Sequence, residues 1–340
     1  MTGKILPACI LRFMKNSGVD FFESIEGKKL VLVNLWPGST MHYTIQLSNR
    51  LVKKNRVVLY LSKDCEVKYF DDRVEVRKID VTVPGRYARV WDYPGLFNPF
   101  NYWKVVREIS AAGYDLLFIV FFHPFLIGLL RMGRKVFIYH DPSGHLGERN
   151  IVLHIMQRLF SYHSDYVVVH DSGLIPDDIP LYQSAKYRIG RHGTFDFLRE
   201  VGDKSIKPQK EILFVGRFVK YKGVEYLIKA FAEIQDEFPD WKLVIKGSGK
   251  PYFKKELKLI NPDQLVFENK YLSDEELVNS VRRASIIALP YVDMSYSGVY
   301  ELARTFGKRV VGFGGDGPAV SLKRKELEIR RSIESILEGK

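Results

Sequence analysis

Between Ile212 and Phe231 the spacing of apolar side chains changes period. Ile212, Leu213, Phe214 and Val215 are consecutive, as in a strand buried on both faces. Val224, Leu227, Ile228 and Phe231 then fall at i, i+3, i+4 and i+7, one face of a helix. A doubly buried strand needs a sheet covered by helices, so this stretch commits the chain to an α/β architecture. Between strand and helix, Gly216-Arg217 and Lys222-Gly223 bound a short basic loop that also holds Lys220. The glycines admit close backbone approach, the helix end offers unpaired N–H groups, and Arg and Lys bring full charge, which together make an anion site. An ordinary strand-to-helix turn with solvated cations fits the same residues.

The alternation continues along the chain. In the first half, strands are predicted at Lys29–Leu35, Arg56–Leu61, Val74–Val81, Leu116–Phe121, Lys135–Tyr139, Tyr166–Val169 and Lys186–Ile189. Helices follow Trp36-Pro37-Gly38-Ser39-Thr40, running to about Lys53, and cover Asn101–Ala111. In the second half, strands are predicted at Lys242–Lys246, Leu265–Glu268 and Ser285–Leu289, and Ser273 with Glu276 forms a capping box. Residues 323–339 read as a charged amphipathic helix. With 340 residues, two domains are expected: 1–199, with 1–28 an unassigned extension, and 211–340. The polar stretch 200–210, EVGDKSIKPQK, is the linker candidate. The expected fold class is two Rossmann-like doubly wound parallel-sheet domains facing across a cleft.

Lysine and arginine exceed aspartate and glutamate by 52 − 40 = 12, which suits anionic partners: nucleotides, nucleic acid or an acidic lipid surface. The 46% hydrophobic content argues against disorder. Two cysteines, Cys9 and Cys65, form no CxxC pair or disulfide framework, so a reducing compartment is expected. The start of the chain lacks a signal-peptide pattern, and the greasy run Leu116–Leu130 is too short and too interrupted for a membrane span. It reads as a buried strand followed by a helix. Ile10, Phe13 and Met14, with cations beside them, form a small amphipathic segment that suits the protein's own flank or a lipid surface.

Strand ends point to further chemistry, because residues past the carboxyl end of a parallel strand line the ligand crevice of open α/β sheets. His140, Asp141 and His145 form such a group after the strand ending at Tyr139; His170 follows Val169; His192-Gly193 follows the next strand. No third ligand completes a zinc set, so no metal is expected. Asp293 and Glu301 lie eight positions apart, and between them Ser297-Gly298-Val299 opens a helix whose N–H groups suit phosphate. Two solvated acids flanking a helix N-terminus is the plainer reading of that pair. Gly247-Ser248-Gly249 does not make a Walker loop, since Val244 stands where the first glycine belongs. Gly312, Gly314 and Gly317 fit GxGxxG, but too little chain follows for a dinucleotide unit.

In this order and spacing the motifs resemble the family 4 glycosyltransferases of the GT-B fold, glycosyl transferases group 1. The likeness spans 29–319 and is strongest from Gly216 to Gly307. It implies a transferase moving a sugar from a UDP- or GDP-sugar to an acceptor hydroxyl on a glycan, a lipid-linked molecule or a small molecule. By resemblance, transfer retains anomeric configuration and requires neither metal nor cofactor. Arg217 and Lys222 would grip the diphosphate, Glu301 the ribose and Asp293 the sugar, with His140 near the anomeric carbon. Gly38, Ser39, Gly216, Gly247, Ser297, Gly298 and Val299 would line the donor, and the backbone at Tyr271 and Leu272 the nucleobase. Asp141, His145, His192 and Gly193 would face the acceptor or cleft. Asp293 stands where the family has Glu, which shortens the side chain by one methylene. A cytoplasmic location is implied, with the inner membrane face as a further contact surface. The rivals are a basic nucleic-acid-binding protein, disfavoured because the basic residues are scattered and no nucleic-acid module appears, and a catalytically silent nucleotide-sugar binder.

Overall fold

The apolar runs become strands, and their hydrogen bonding makes two separate sheets. The structure, a computed structural model, describes residues 20–38, 40–83, 94–140, 151–171, 174–175, 186–292, 297–312 and 322–338. The chain divides into two units, the first ending at Gly193 and the second starting at Thr194.

In the first unit, β1 (Lys29–Asn34), β2 (Arg56–Ser62), β3 (Glu75–Ile79), β4 (Leu116–Ile119), β5 (Lys135–Ile138), β6 (Tyr166–Val169) and β7 (Tyr187–Ile189) form one parallel sheet. Their order is β3-β2-β1-β4-β5-β6-β7. Leu30, Val31, Leu32 and Val33 are all fully buried, so β1 is covered on both faces as its run of apolar residues requires. The helices are α1 (Thr40–Leu51), α2 (Pro99–Ala112) and α3 (Ile151–His163). Past β4 the greasy run does not become an α-helix. Pro124–Arg131 is a 3-10 helix, started by the imidazole of His123, which accepts from Phe125 N at 3.1 Å.

The second unit has β8 (Gln209–Arg217), β9 (Lys242–Ser248), β10 (Leu265–Asn269), β11 (Ala284–Leu289) and β12 (Arg309–Gly312), all parallel, in the order β10-β9-β8-β11-β12. The helices are α4 (Val224–Ile234), α5 (Asp274–Arg283), α6 (Gly298–Thr305) and α7 (Leu322–Leu337). Both orders reverse beside the first strand of their unit, the arrangement of a doubly wound sheet. Helix α4 buries Val224, Leu227, Ile228 and Phe231, the four positions of the helical stripe. Helix α7 adds Ile329 and Ile333 to the same core, so the charged tail is amphipathic with its apolar side inward.

The capping box at α5 forms in full: Ser273 accepts from Glu276 N, and the Glu276 carboxylate accepts from Ser273 N. Ser273→Ala is expected to lower stability by about 1 kcal/mol, read as a drop of a few degrees in a thermal melt. The domain boundary falls ahead of the polar stretch 200–210. Phe195 and Leu198 are buried in the second core, Arg282 donates to the Arg199 and Val201 carbonyls, and Asp203 N donates to Asn279. Gln209 and Lys210 already belong to β8. Polar composition marked this stretch as a linker, and these bonds tie its first part to the second unit. Among the described residues no helix is long and apolar enough to cross a membrane.

Candidate functional site

In the second unit the order reverses between β8 and β11, and the residues leaving those two strands meet there. From β8 come Gly216 and Arg217, a single 3-10 turn at Lys220–Lys222, and Gly223, which holds the left-handed conformation at φ 59°. From β11 come Pro290 and Tyr291. Lys222 Nζ donates to the Tyr291 hydroxyl at 2.7 Å and lies 3.9 Å from its ring centroid. Arg217 donates to the Tyr221 hydroxyl at 3.4 Å. A main-chain bond from Val292 N to Tyr221 O, 2.7 Å, ties the two loops together. Gly223 is needed where it stands, since a Cβ there would fall 2.1 Å from the Pro290 carbonyl oxygen.

Tyr291 carries the connection onward. Ser297 Oγ donates to its hydroxyl at 3.3 Å and also caps α6, accepting from Tyr300 N. The basic loop and the N-terminus of α6 are therefore joined through one buried phenol. Burial pushes that phenol up to about 12, against the opposing effects of the Ser297 bond and the Arg217 charge, so it keeps its proton at neutral pH. The amides at the start of α6, on Gly298 and Val299, have no intrahelical acceptor and face the side where anions are favoured.

The start of α4 is different. Val224 N donates to the Tyr252 hydroxyl at 3.2 Å, and that hydroxyl donates to the Glu225 carboxylate at 2.7 Å. Burial raises the Glu225 carboxyl while the Tyr252 bond opposes it. This helix end is thus partly satisfied from within, and the charge at the basic loop comes from side chains. Gly247 lies beside Gly216 in the sheet; a Cβ on it would fall 1.7 Å from the Gly216 oxygen, so only glycine fits. Asn269, at the end of β10, donates to Gly249 O at 3.2 Å. Tyr271 and Leu272 follow, with Tyr271 well exposed.

Glu301 sits one turn inside α6, almost wholly buried, and Arg304 donates to both of its oxygens at 3.2 and 2.9 Å. Arg304 itself is half exposed. Arg304 thus pairs with this carboxylate within the helix. Asp293, Gly314 and Gly317 lie outside the described residues.

In the first unit, Asn34 shapes the loop after β1. Fully buried, it donates to Thr40 and Thr44 and accepts from Trp36 N at 3.0 Å. Gly38, at φ 81°, completes the turn, and Trp36 Nε1 donates to Phe122 O. Ser39 is outside the described residues, as are Asp141 and His145.

His140 gathers with other groups of the first unit. It stacks on Phe121 at 4.0 Å and 6°, and Tyr43 stands edge-on to it at 4.5 Å. His170 Nε2 lies 3.2 Å from His140 Nδ1, and His192 is 5.4 Å from His170 between ring centroids. His192 Nδ1 donates to the Gly193 carbonyl at 2.9 Å. The turn carrying His192 and Gly193 is fixed by Asp20 and Arg50: Asp20 accepts from Arg191 N, and Arg50 donates to Asp20, Glu23 and the Arg191 carbonyl. Sequence spacing gave no sign of Asp20, Arg50, Tyr43 or Tyr291, because each acts across segments far apart in the chain. Among the described residues no group of three His, Cys, Asp or Glu side chains suits a metal ion.

With this geometry in hand, known proteins give a consistent picture. The glycosyl transferases group 1 model matches residues 199–294. That span contains the basic loop and Tyr291. An uncharacterized glycosyltransferase of Haemophilus influenzae is 34% identical over 144 residues, 38% of either chain. Another, from Methanocaldococcus jannaschii, is 28% identical over 155 residues, 45% of this chain and 37% of its own. The chain thus covers well under half the length of these relatives. Among solved structures, the sucrose-phosphate synthase of Thermosynechococcus elongatus superposes with a TM-score of 0.64 at 15% identity, over 92% of this chain and 90% of its own. Anabaena HepE, solved with UDP and glucose, gives 0.61 at 15% over the same shares. The UDP-GlcNAc 2-epimerase of Neisseria meningitidis, bound to UDP-GlcNAc, gives 0.53 at 12%, covering 91% of each chain. Identities this low speak of the fold alone. With the two parallel sheets, that fold is GT-B.

Proposed function

We propose that this chain is a glycosyltransferase that takes a sugar from a nucleoside-diphosphate sugar, UDP- or GDP-linked, and transfers it to an acceptor hydroxyl on a glycan, a lipid-linked molecule or a small molecule. The observation that carries the reading is the link Lys222–Tyr291–Ser297, which joins a cation of the basic loop to a helix N-terminus at the switch point of the second sheet. Arg217 and Lys222 neutralise the diphosphate, the first amides of α6 add backbone donors, and Tyr291 holds Lys222 in place with a phenol that stays protonated. The bond from anomeric carbon to phosphate oxygen breaks, a bond to the acceptor oxygen forms, and the acceptor proton passes to the departing phosphate. Positive charge at Arg217 and Lys222 stabilises that leaving group without a metal. Glu301 holds the ribose once Arg304 swings away, Asp293 holds the sugar, and His140 serves the anomeric centre. Transfer retains configuration, through attack by the acceptor on the face the phosphate leaves. Gly38, Ser39, Gly216 and Gly247 line the donor, Tyr271 and Leu272 its base, and Asp141, His145, His192 and Gly193 the acceptor side. The acceptor surface includes an acidic membrane face, in keeping with the basic charge.

A thermal-shift screen against UDP, GDP, ADP and their sugars tests the reading. A rise with one nucleotide family identifies the donor; no rise with any sinks the proposal. Donor binding with neither transfer nor hydrolysis would make the chain a silent binder, and an inverted product by NMR would overturn retention alone. Tyr291→Phe removes the acceptor for Lys222 and Ser297, and is expected to weaken nucleoside diphosphate binding by about fivefold to tenfold, roughly 1–1.4 kcal/mol. Calorimetric titration reads that change directly.

A further inference from the structure

A slot of about 220 Å³ lies in the second unit, between α5 and the face of the sheet formed by β8, β9 and β10. At about 30 Å³ per liquid water it has room for roughly seven, the volume of a small organic molecule. Glu276, Asn279, Ser280 and Arg283 line it from α5 at i, i+3, i+4 and i+7, one face of the helix. Its apolar floor is Val244 and Val266, which are partners in the sheet. At one end the charges neutralise one another. Lys270 bridges Glu268 and Glu276 at 2.7 and 2.6 Å, and Lys246 meets Glu268 at 3.2 Å. The other end is different. Glu211 faces the slot from the start of β8 and is only 9% exposed, yet among the described residues its carboxylate has neither a hydrogen bond nor an ion pair. Arg283 stands at the same end, since the next residue, Ala284, pairs with Gln209, two residues before Glu211. It is exposed and likewise has no ion pair among the described residues.

We propose that this slot binds a small α-amino acid, with its ammonium on Glu211, its carboxylate on Arg283 and a short apolar side chain over Val244 and Val266. A buried carboxylate without a partner is unfavourable and is relieved by a hydrogen-bond donor. A simple cation is a poor donor here. Burial raises the Glu211 carboxyl, while the charges of Arg283, Lys246 and Lys242 oppose the rise, so three cations already act on this position. A simple anion would meet Arg283 and leave Glu211 unpaired. A zwitterion satisfies both groups and adds no net charge. The ammonium and carboxylate of an α-amino acid flank a single carbon, which suits two unpaired groups at one end of a slot with an apolar floor beyond them. The acids of the slot form no set suited to a metal ion among the described residues. This site is separate from the basic loop: Glu211 and Arg217 lie toward opposite ends of β8, about 20 Å apart at roughly 3.3 Å per residue. The inference therefore goes beyond the transferase reading and does not rest on it.

Calorimetric titration of the full chain with leucine, valine and alanine tests the proposal. Each is run beside the amine that lacks its carboxylate and the acid that lacks its amine, isoamylamine and 4-methylvalerate in the case of leucine. At least one amino acid should bind saturably at a single site with millimolar or tighter affinity. Its two analogues should bind at least about tenfold more weakly, the loss of one charged hydrogen bond. No binding of any of the three, or an analogue as strong as its parent, would overturn the proposal. Glu211→Gln keeps the shape and removes the charge, and Arg283→Ala removes an exposed side chain. Glu211→Gln should melt no lower than wild type, because burial disfavours the charged carboxyl it replaces. Each variant should weaken the amino acid at least about tenfold, and equal affinity in either folded variant would contradict the site. Should a variant fail to fold, the wild-type series of analogues decides alone. Neither substitution should change nucleoside diphosphate binding, so failure of this site and failure of the proposed function are read separately.

Discussion

Lys222→Ala is expected to lower kcat/KM by about tenfold to a hundredfold. Hydrogen bonds to charged groups are worth about 1.5–3 kcal/mol, and each 1.4 kcal/mol is tenfold in rate. Two features place this residue above the other cations of the chain. Its ammonium is held by the Tyr291 hydroxyl and ring, so little orientational freedom remains to be lost when a diphosphate binds. It also neutralises charge that grows as the phosphate departs, so both binding and turnover suffer. Lys222→Arg should recover only part of the loss, since the guanidinium's planar fork does not reproduce a point charge over the Tyr291 ring. Steady-state kinetics on the three proteins reads the effect. Equal kcat/KM for wild type and Lys222→Ala would remove this residue from the site.

Gly223→Ala is the second large effect, and it acts on the fold first. A side chain at φ 59° adopts the left-handed region at a cost of about 1–2 kcal/mol. The new methyl also meets the Pro290 oxygen at 2.1 Å, and that atom is backbone with nowhere easy to move. Overpacking of this kind adds roughly 1–3 kcal/mol, so stability should fall by about 2–5 kcal/mol and the melting temperature by roughly 10 °C. Relief of the clash pushes Pro290 and Tyr291 away from Lys222, so donor affinity should drop even well below the melting point. Thermal melts with calorimetric titration separate the two losses. A variant as stable as wild type would show that the loops do not pack this closely in solution.

The sheets were legible because a strand buried on both faces must be apolar at consecutive positions, as at Leu30–Val33 and Ile212–Val215. The α5 capping box was legible because its two bonds lie within four residues. The Lys222-Gly223 loop could be read as an anion site from local chemistry alone. What spacing does not carry is convergence between strands. Tyr291 reads as an ordinary residue after a strand, yet it joins two motifs sixty-nine and six residues away. The same holds for His170, thirty residues from His140, and for Asp20, which sits in the unassigned N-terminal stretch but anchors Arg191. The 3-10 helix at Pro124–Arg131 was read as an ordinary helix, since hydrophobicity does not distinguish the two. The start of α4 read as an open anion site because the hydroxyl that occupies it, on Tyr252, comes from another segment.

The most direct test of the account is a calorimetric titration of wild type, Arg217→Ala and Lys222→Ala with UDP, GDP and ADP, at one ionic strength. The account predicts that one nucleoside diphosphate binds the wild type at a single site and that either substitution weakens it at least about tenfold, the loss of one charged hydrogen bond. Binding of equal strength in all three proteins, or no binding of any nucleoside diphosphate to the wild type, would contradict it.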